Sequence, residues 1–452
     1  MLTNLDWLMP GKQFPPPEEK TRLDTYGQNE NLFLSRHTEV WREAFDRAAR
    51  LLRKRNRDVS TVLNYHQLLS KKTADLICGE PPKLEYEGET DKLDALLRNQ
   101  RFSAKLYELM IDVSRYGNAV VKLVDNRVTV VSPRCWFPIV DSRDLKNVMS
   151  HVIAYPLSDT VLYTEIHTPG NIERRRYRLE RNLIGGLLES GKYEPTGQSN
   201  LAVQALTNVT HSGSIYGLDD YTIINSLLEK LMWRLHCADT ILDKHSEPSI
   251  SGPSSALTMD ERTGLWLFSA GNYFKRDVAE DPTVQYITWD GNLEANFREI
   301  ELLTNQLYIL SEMGAAFLEG GDEGAASSGT ALKLRLVSPR IKAQRLVGLN
   351  DATVRDIIAM LGTANGIAVN ANDLQLIWHD GLPDDPVEDA NRRNVETGGK
   401  PTKSQYAAIK ERGLSDAETE AELEQIRKES AVSAPSLFAL DPTPEDMTDD
   451  ED

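Results

Sequence analysis

Residues 294–362 constrain the fold most: a helix with one apolar face, a glycine-rich acidic loop, and a second helix whose first half carries only basic charge. In the first helix Ile300, Leu303, Leu307, Leu310, Gly314 and Phe317 recur three or four apart, so they share one face at about 3.6 residues per turn. A stripe of that length has to be covered along its whole length. The loop runs through Glu319, Gly320, Gly321, Asp322, Glu323, Gly324, two alanines, Ser327, Ser328 and Gly329. It has no bulky side chain to bury, and its glycines loosen the backbone, so its composition predicts a mobile, exposed tip. Beyond it Lys333, Arg335, Arg340, Lys342 and Arg345 are the only charges between Thr330 and Leu349. Loop and helix together have the composition to meet a polyanion.

A chain of 452 residues exceeds one typical core, so two or more packed units are expected. With 51 basic and 69 acidic residues the net charge is −18, which argues against gripping nucleic acid over the whole surface. Any DNA contact has to be local. Cys78, Cys135 and Cys237 lie far apart with no metal-ligand spacing, as free thiols in a reducing compartment would. The first residues lack a basic segment followed by an apolar run, and no window reaches roughly 18 uninterrupted apolar residues. The chain reads as soluble and not exported by the common signal route.

Residues 1–31 hold Phe14-Pro-Pro-Pro17 and few apolar side chains, the composition of an extended arm without a core of its own, lying across a neighbour or disordered. Helical patterning follows to about Ile77 and stops at Gly79-Glu-Pro-Pro82, since proline cannot continue the hydrogen-bond ladder. A helix over about 91–116 precedes two strands, 119–124 and 127–131, joined by Asp125-Asn126 as a two-residue hairpin turn. Residues 161–167 and 172–179 repeat the arrangement around Thr168-Pro-Gly-Asn171. A long helix is expected over 219–247, with Asp219 and Asp220 at its positive end, and a small β-rich insert over 248–293. Late in the chain, 374–378 reads as an isolated strand and about 383–430 as charged helix. Seven acids among the last twelve residues predict a disordered tail within 431–452. The fold class is α+β, mostly helical, with antiparallel strands.

The sequence carries no recognisable catalytic centre, metal site or cofactor motif. Gly324 to Thr330 has the glycine spacing of a phosphate-binding loop, but Thr330 stands where that loop needs lysine, and a helix rather than a strand precedes it. Asp380, Asp384, Asp385, Glu388 and Asp389 are hard oxygen donors that a DNA-processing enzyme would use on a divalent metal; the plainer reading is an acidic helix start. His211, His236, His245 and His379 have no metal-ligand spacing, and no serine, cysteine or threonine sits in a nucleophile motif. Arg174, Arg175 and Arg176 alternate across a strand and cannot form one patch.

The order of these elements resembles that of portal proteins of tailed double-stranded DNA bacteriophages, from about Asn64 to about Arg412. The matching stretches are Asn64-Tyr-His-Gln-Leu-Leu through Gly79-Glu-Pro-Pro82, Tyr116-Gly-Asn-Ala-Val-Val-Lys122, Ser328-Gly-Thr-Ala-Leu-Lys333 and Trp378-His-Asp-Gly-Leu-Pro-Asp-Asp385. The resemblance implies a non-enzymatic ring of about twelve copies at one capsid vertex, in the virion and, during assembly, in the host cytoplasm. It implies a wing over 32–218 with 373–379 returning to it, a stem of 219–247 and 294–318, and a clip over 248–293. A tunnel loop over 319–329, a channel helix over 330–362 and a crown over 383–430 complete the scheme.

In these terms the loop and the five basic residues would line a DNA channel. Leu265, Trp266, Phe268, Tyr273, Phe274 and Trp289 of the clip would meet a head-tail adaptor. The other implied partners are the terminase, double-stranded DNA in transit, and the major capsid and scaffolding proteins, with no membrane and no cofactor. A mostly acidic wall would let DNA slide, where many fixed cations would hold it by counterion release. Two alternatives stay open: a metal-dependent DNA-processing enzyme, and another ring-forming head-tail connector.

Overall fold

The computed structural model describes residues 1–52, 62–191, 193–197, 200–246, 249–253, 258–259, 262, 266–267, 273–275, 284–287, 293–318, 336–379, 390, 394–397, 403–412 and 414–432. It is α+β, and it divides into a unit of Met1–Leu382 and a unit of Pro383–Asp452.

The larger unit begins by correcting the free arm. Its first fourteen residues cross one face of an antiparallel sheet built, in order, from β4 (Trp136–Val140), β5 (Val148–Ser158), β6 (Val161–Thr168), β7 (Asn171–Glu180) and β8 (Leu183–Ser190). Leu2 pairs with Ile139 on one edge strand, and Gln13 pairs with Leu183 on the other. Trp7 and Leu8 between these two anchor points, and Phe14 just past the second, pack onto Phe137, Val152, Leu162, Ile166 and Tyr177. The segment lacks enough apolar surface for its own core but supplies what one face of the sheet needs to exclude water. Helix α1 (Lys20–Phe33) then starts inside the expected arm, directly after a 3-10 turn that Pro17 opens.

Short helices α2 (His37–Val40) and α3 (Arg42–Leu52) lead to α4 (Tyr65–Cys78), whose start Asn64 caps by accepting from the Gln67 backbone N–H at 2.9 Å. The single helix expected over 91–116 is two: α5 (Thr90–Asn99) and α6 (Phe102–Tyr116), broken where Arg101 takes φ 50. The strands β2 (Asn118–Val124) and β3 (Arg127–Val131) form the expected hairpin, with Asp125 and Asn126 at φ 52 and 60, the two left-handed residues of a type I′ turn. Strand β10 (Val203–Thr207) completes that sheet beside β2, and the two-residue β9 (Glu194–Pro195) pairs with β7.

Helix α7 spans Asn225–Ser246 and so begins later than expected; Asp219 and Asp220 precede it. It packs antiparallel to α8 (Glu294–Leu310), burying Leu228 and Leu231 against Leu303 and Leu307, while Glu299 takes Lys230 at 3.0 Å and Arg234 at 2.9 Å. Between them lie β11 (Ser249–Gly252), flanked by β14 (Tyr273–Lys275) and β15 (Gln285–Ile287), and the pair β12 (Thr258–Met259) and β13 (Trp266–Leu267). The apolar stripe of 294–318 does not ride on one helix. Glu312 and Gly314, at φ 59 and 68, end α8 and start a new turn, α9 (Ala315–Leu318).

Helix α10 (Val337–Ala364) runs through the largest core, where Leu346, Val354, Ile357 and Leu361 meet Leu93, Leu106 and Leu109. Asn350 fastens it to the sheet by accepting from the Thr207 backbone N–H at 2.8 Å and donating to the Thr207 carbonyl at 2.9 Å. The strand expected to be isolated, β16 (Leu374–Ile377), has a partner in β1 (Lys83–Tyr86), antiparallel with Leu84 opposite Leu376.

The smaller unit contains α11 (Gln405–Lys410) and α12 (Asp416–Val432). Ser415 and Glu418 cap α12 reciprocally: Ser415 donates its N–H to Glu418 at 2.9 Å, and Glu418 donates its own to the Ser415 hydroxyl at 3.4 Å. The acidic tail lies outside the described residues.

Candidate functional site

The acidic loop itself, with Glu319, Gly320, Gly321, Asp322, Glu323, Gly324, Ser327 and Ser328, lies outside the described residues, as do Lys333 and Arg335. The structure describes the root from which that segment leaves and to which it returns. The outgoing side is the α8–α9 break, and the returning side is the first two turns of α10. Met313 and Leu336, 0% and 5% exposed, bury both sides. Ser338 then donates its hydroxyl to the Glu312 carbonyl at 3.1 Å, and Arg345 pairs with the Glu312 carboxylate. Two consecutive residues of the break are thereby tied to α10, because Lys342 reaches the Ser311 carbonyl at 3.3 Å.

Lys342 is inside the protein, 2% exposed, with its ammonium 3.0 Å from the Asp220 carboxylate. Such a charge needs a counter-charge and hydrogen bonds, since an unpaired buried ion is costly. The acceptor is in turn well supplied. Asp220 Oδ2 accepts from the Ser114 hydroxyl at 2.7 Å, and Oδ1 accepts from Asn208 at 3.1 Å. Behind Ser114 stand the Ser70 hydroxyl at 3.1 Å and, beyond it, the Tyr221 hydroxyl at 2.8 Å. With every O–H pointing the same way, Tyr221 donates to Ser70, Ser70 to Ser114, and Ser114 to the carboxylate. Burial raises the Tyr221 phenol above its ordinary range, so it stays a donor.

A second buried chain adjoins this one through the Tyr221 ring, which meets the His66 ring edge-on with their centres 4.8 Å apart. His66 Nε2 lies 2.8 Å from the Asn225 side-chain oxygen, and its Nδ1 lies 3.0 Å from His37 Nε2. One neutral arrangement satisfies both contacts: His37 donates to His66, and His66 donates to Asn225 at the first residue of α7. Burial keeps both rings neutral, lowering His66 to about 3 and His37 to about 4. The root of the loop, the start of α7, and helices α4 and α6 are thus fixed to one another through buried and partly buried polar contacts.

Of the five basic residues singled out in the sequence, the structure describes three. Lys342 and Arg345 neutralise acids of the same chain, and Arg340 is half-buried beside Leu76 and Ile77. Among the aromatic and apolar residues of the β-rich insert, Phe274 on β14 is 54% exposed, and Trp266 and Tyr273 lie on β13 and β14. Leu265, Phe268 and Trp289 fall outside the described residues, as do Asp380, Asp384, Asp385, Glu388 and Asp389. No group of three or more histidine, cysteine or acidic side chains is placed to hold a metal among the described residues. Sequence reading passed over Asp220 as a helix-start acid and did not single out Ser114, Glu312 or Ser338. An Asp-Asp pair ahead of a long helix, and a serine one turn before the first lysine of α10, were the available signals.

No curated protein sequence matches the chain. Solved structures with similar chains include the neck of an empty gene transfer agent (GTA) particle computed with C6 symmetry, at 11% identity and a TM-score of 0.47, over 77% of this chain and 90% of that one. The neck of a native GTA particle computed with C12 symmetry matches at 12% identity and 0.42, over 77% and 89%. The virion of a native GTA particle matches at 11% and 0.41, over 73% and 84%. A family model does match the sequence itself, from residue 16 to residue 233: that of the phage portal proteins, SPP1 Gp6-like.

Proposed function

We propose that this chain is a portal protein that assembles a ring at one capsid vertex and serves as the conduit for genome packaging and ejection. The observation that carries this reading beyond the family match is the root of the acidic loop. A segment rich in glycine and acid leaves and re-enters the fold at one fixed place, held by Ser338, Lys342 and Arg345 against residues 311–312. Around a ring, such roots would set a circle of identical loops at one level.

In this reading α7 and α8 form the stem, β11 to β15 the clip that docks the head-tail adaptor, and residues 319–329 the tunnel loop. The channel helix is 330–362, the wing 32–218 with 373–379, and the crown 383–430. The terminase docks on the assembled ring. The net charge of −18 suits the task, because DNA slides past a wall that does not exchange its counterions. Burial of Lys342 and pairing of Arg345 take two cations away from any such wall.

Negative-stain imaging of purified protein and of particles assembled in cells should show rings with a central hole. A defined non-ring state in both would overturn the reading. Deleting Gly320 to Ser327 should impair packaging or retention of DNA and leave ring assembly intact; wild-type packaging and retention would remove the loop's role.

A further inference from the structure

Asn365-Gly366 is the chain's only Asn-Gly step, and it stands exposed at the end of α10. In water this pair rearranges more readily than other asparagine steps, because glycine puts no side chain between its backbone nitrogen and the neighbouring amide carbon. The nitrogen of Gly366 attacks Cγ of Asn365, the Cγ–Nδ2 bond breaks, and ammonia leaves behind a cyclic imide. Water then opens the ring at either carbonyl, giving aspartate or its β-linked isomer. Water is the only co-reactant.

The fold holds this reaction back. Asn365 has ψ 15, which turns the Gly366 nitrogen toward the Asn365 backbone nitrogen and away from the side chain. Gly366, at φ 80, donates its N–H to the Thr363 carbonyl at 3.1 Å, and Ile367 donates to the Gly362 carbonyl at 2.9 Å. The side-chain amide is engaged as well: Asn365 Nδ2 donates to the Leu361 carbonyl at 2.8 Å and to the Asn126 carbonyl at 3.2 Å. Both partners are acceptors, so the NH2 end of the side chain faces them. Asn365 therefore ties the last turn of α10 to the type I′ turn between β2 and β3. Attack on Cγ requires this end to open, and helix ends open far more readily than the core they leave.

A carboxylate in the same place has no proton to donate. It would face the Leu361 and Asn126 carbonyl oxygens at the negative end of the α10 dipole, beside a turn that already carries Asp125. We propose that Asn365 is a self-modification site gated by opening of the α10 C-terminus, and that the acid it becomes keeps that end from closing back on the hairpin. The change runs one way, so the fraction converted records how long the turn has been open.

The test incubates the full chain at mildly alkaline pH, folded and in strong urea, and follows Asn365 by peptide mass mapping, with enzymatic methylation of β-linked aspartate as a second readout. Conversion should be about ten- to a hundredfold slower in the folded chain than in urea, and still measurable. Equal rates remove the gate, no conversion in urea removes the site, and no conversion of the folded chain over a correspondingly longer incubation removes the opening. Asn365→Ala and Asn365→Asp then separate lost hydrogen bonds from added charge. The alanine variant should unfold at lower urea than wild type, and the aspartate variant at lower urea still, with faster hydrogen exchange at the Gly366 and Ile367 amides. An aspartate variant as stable as the alanine one, or exchange there at the wild-type rate, would overturn the latch.

Discussion

Lys342 puts a positive charge where water does not reach, and the surrounding residues respond. Asp220 faces it at 3.0 Å, with Ser114 and Asn208 holding the carboxylate oxygens. Lys342→Met should cost about 3 kcal/mol in urea unfolding, because a buried carboxylate then keeps its hydroxyl and amide donors but loses its cation. Adding Asp220→Asn should cost less than the sum of the two single changes, since they share one interaction. A purely additive result would show that the pair is not coupled. In the sequence Lys342 looks like any of five cations on a helix, because its partner lies far upstream and only the fold brings them together.

The buried imidazoles set the response to acid. His37, His66 and His151 are held at about 4, 3 and 3 in the fold against an ordinary 6.5, chiefly by burial. The unfolded chain therefore binds protons that the folded chain refuses, so their stabilisation is complete above pH 6.5 and drains as the pH falls toward 4 and 3. Asp112 runs the other way: burial raises it to about 6, against the pull of Arg115, so its contribution fades as pH rises from 3.8 to about 6. His66→Gln can retain a donor to Asn225 and removes one proton acceptor, so its acid-unfolding midpoint should move to lower pH. An unmoved midpoint would exclude His66 as a determinant.

At the level of elements, turns decided which parts of the fold could be read in advance. Asp125-Asn126 is legible as a hairpin because those side chains tolerate the left-handed backbone that a type I′ turn needs. The turn between β7 and β8 uses Arg181 and Asn182 at φ 49 and 65, and the arginine hid it. The break in α8 was hidden in the same way by Glu312 at φ 59, inside a periodic apolar pattern. Strand β1 gave no signal because its partner β16 comes hundreds of residues later, and pairing that distant leaves no local mark. Gly117 marks another element junction: at φ +78, an added Cβ would stand 2.2 Å from the Gly217 carbonyl oxygen. Gly117→Ala should lower stability by about 2 kcal/mol or more, read by denaturant unfolding, since backbone strain and overpacking act together. A change within error would mean the two segments move apart freely.

On the scale of the whole molecule, residues 1–14 act as a strap across the six-stranded sheet, with one end on β4 and the other on β8. Trp7 stacks on Phe14 and packs against Phe137, so Trp7→Ala should cost about 3–5 kcal/mol and lower the melting temperature of the larger unit. A wild-type melt would show that the strap lies on a sheet stable without it. Composition alone identified a segment without a core of its own; it did not reveal that the surface it covers is on the same chain. The root of the acidic loop has a different consequence. Because Ser338 and Lys342 fasten α10 to residues 312 and 311, the chain between the two sides is a closed circuit whose end-to-end distance no longer depends on its contents. Doubling the length of such a circuit costs only about 0.6 kcal/mol in closure entropy. The tip is therefore a permissive address: peptides or reporter sequences inserted between Gly320 and Ser327 would lengthen its reach while leaving the architecture around Lys342 and Asp220 untouched.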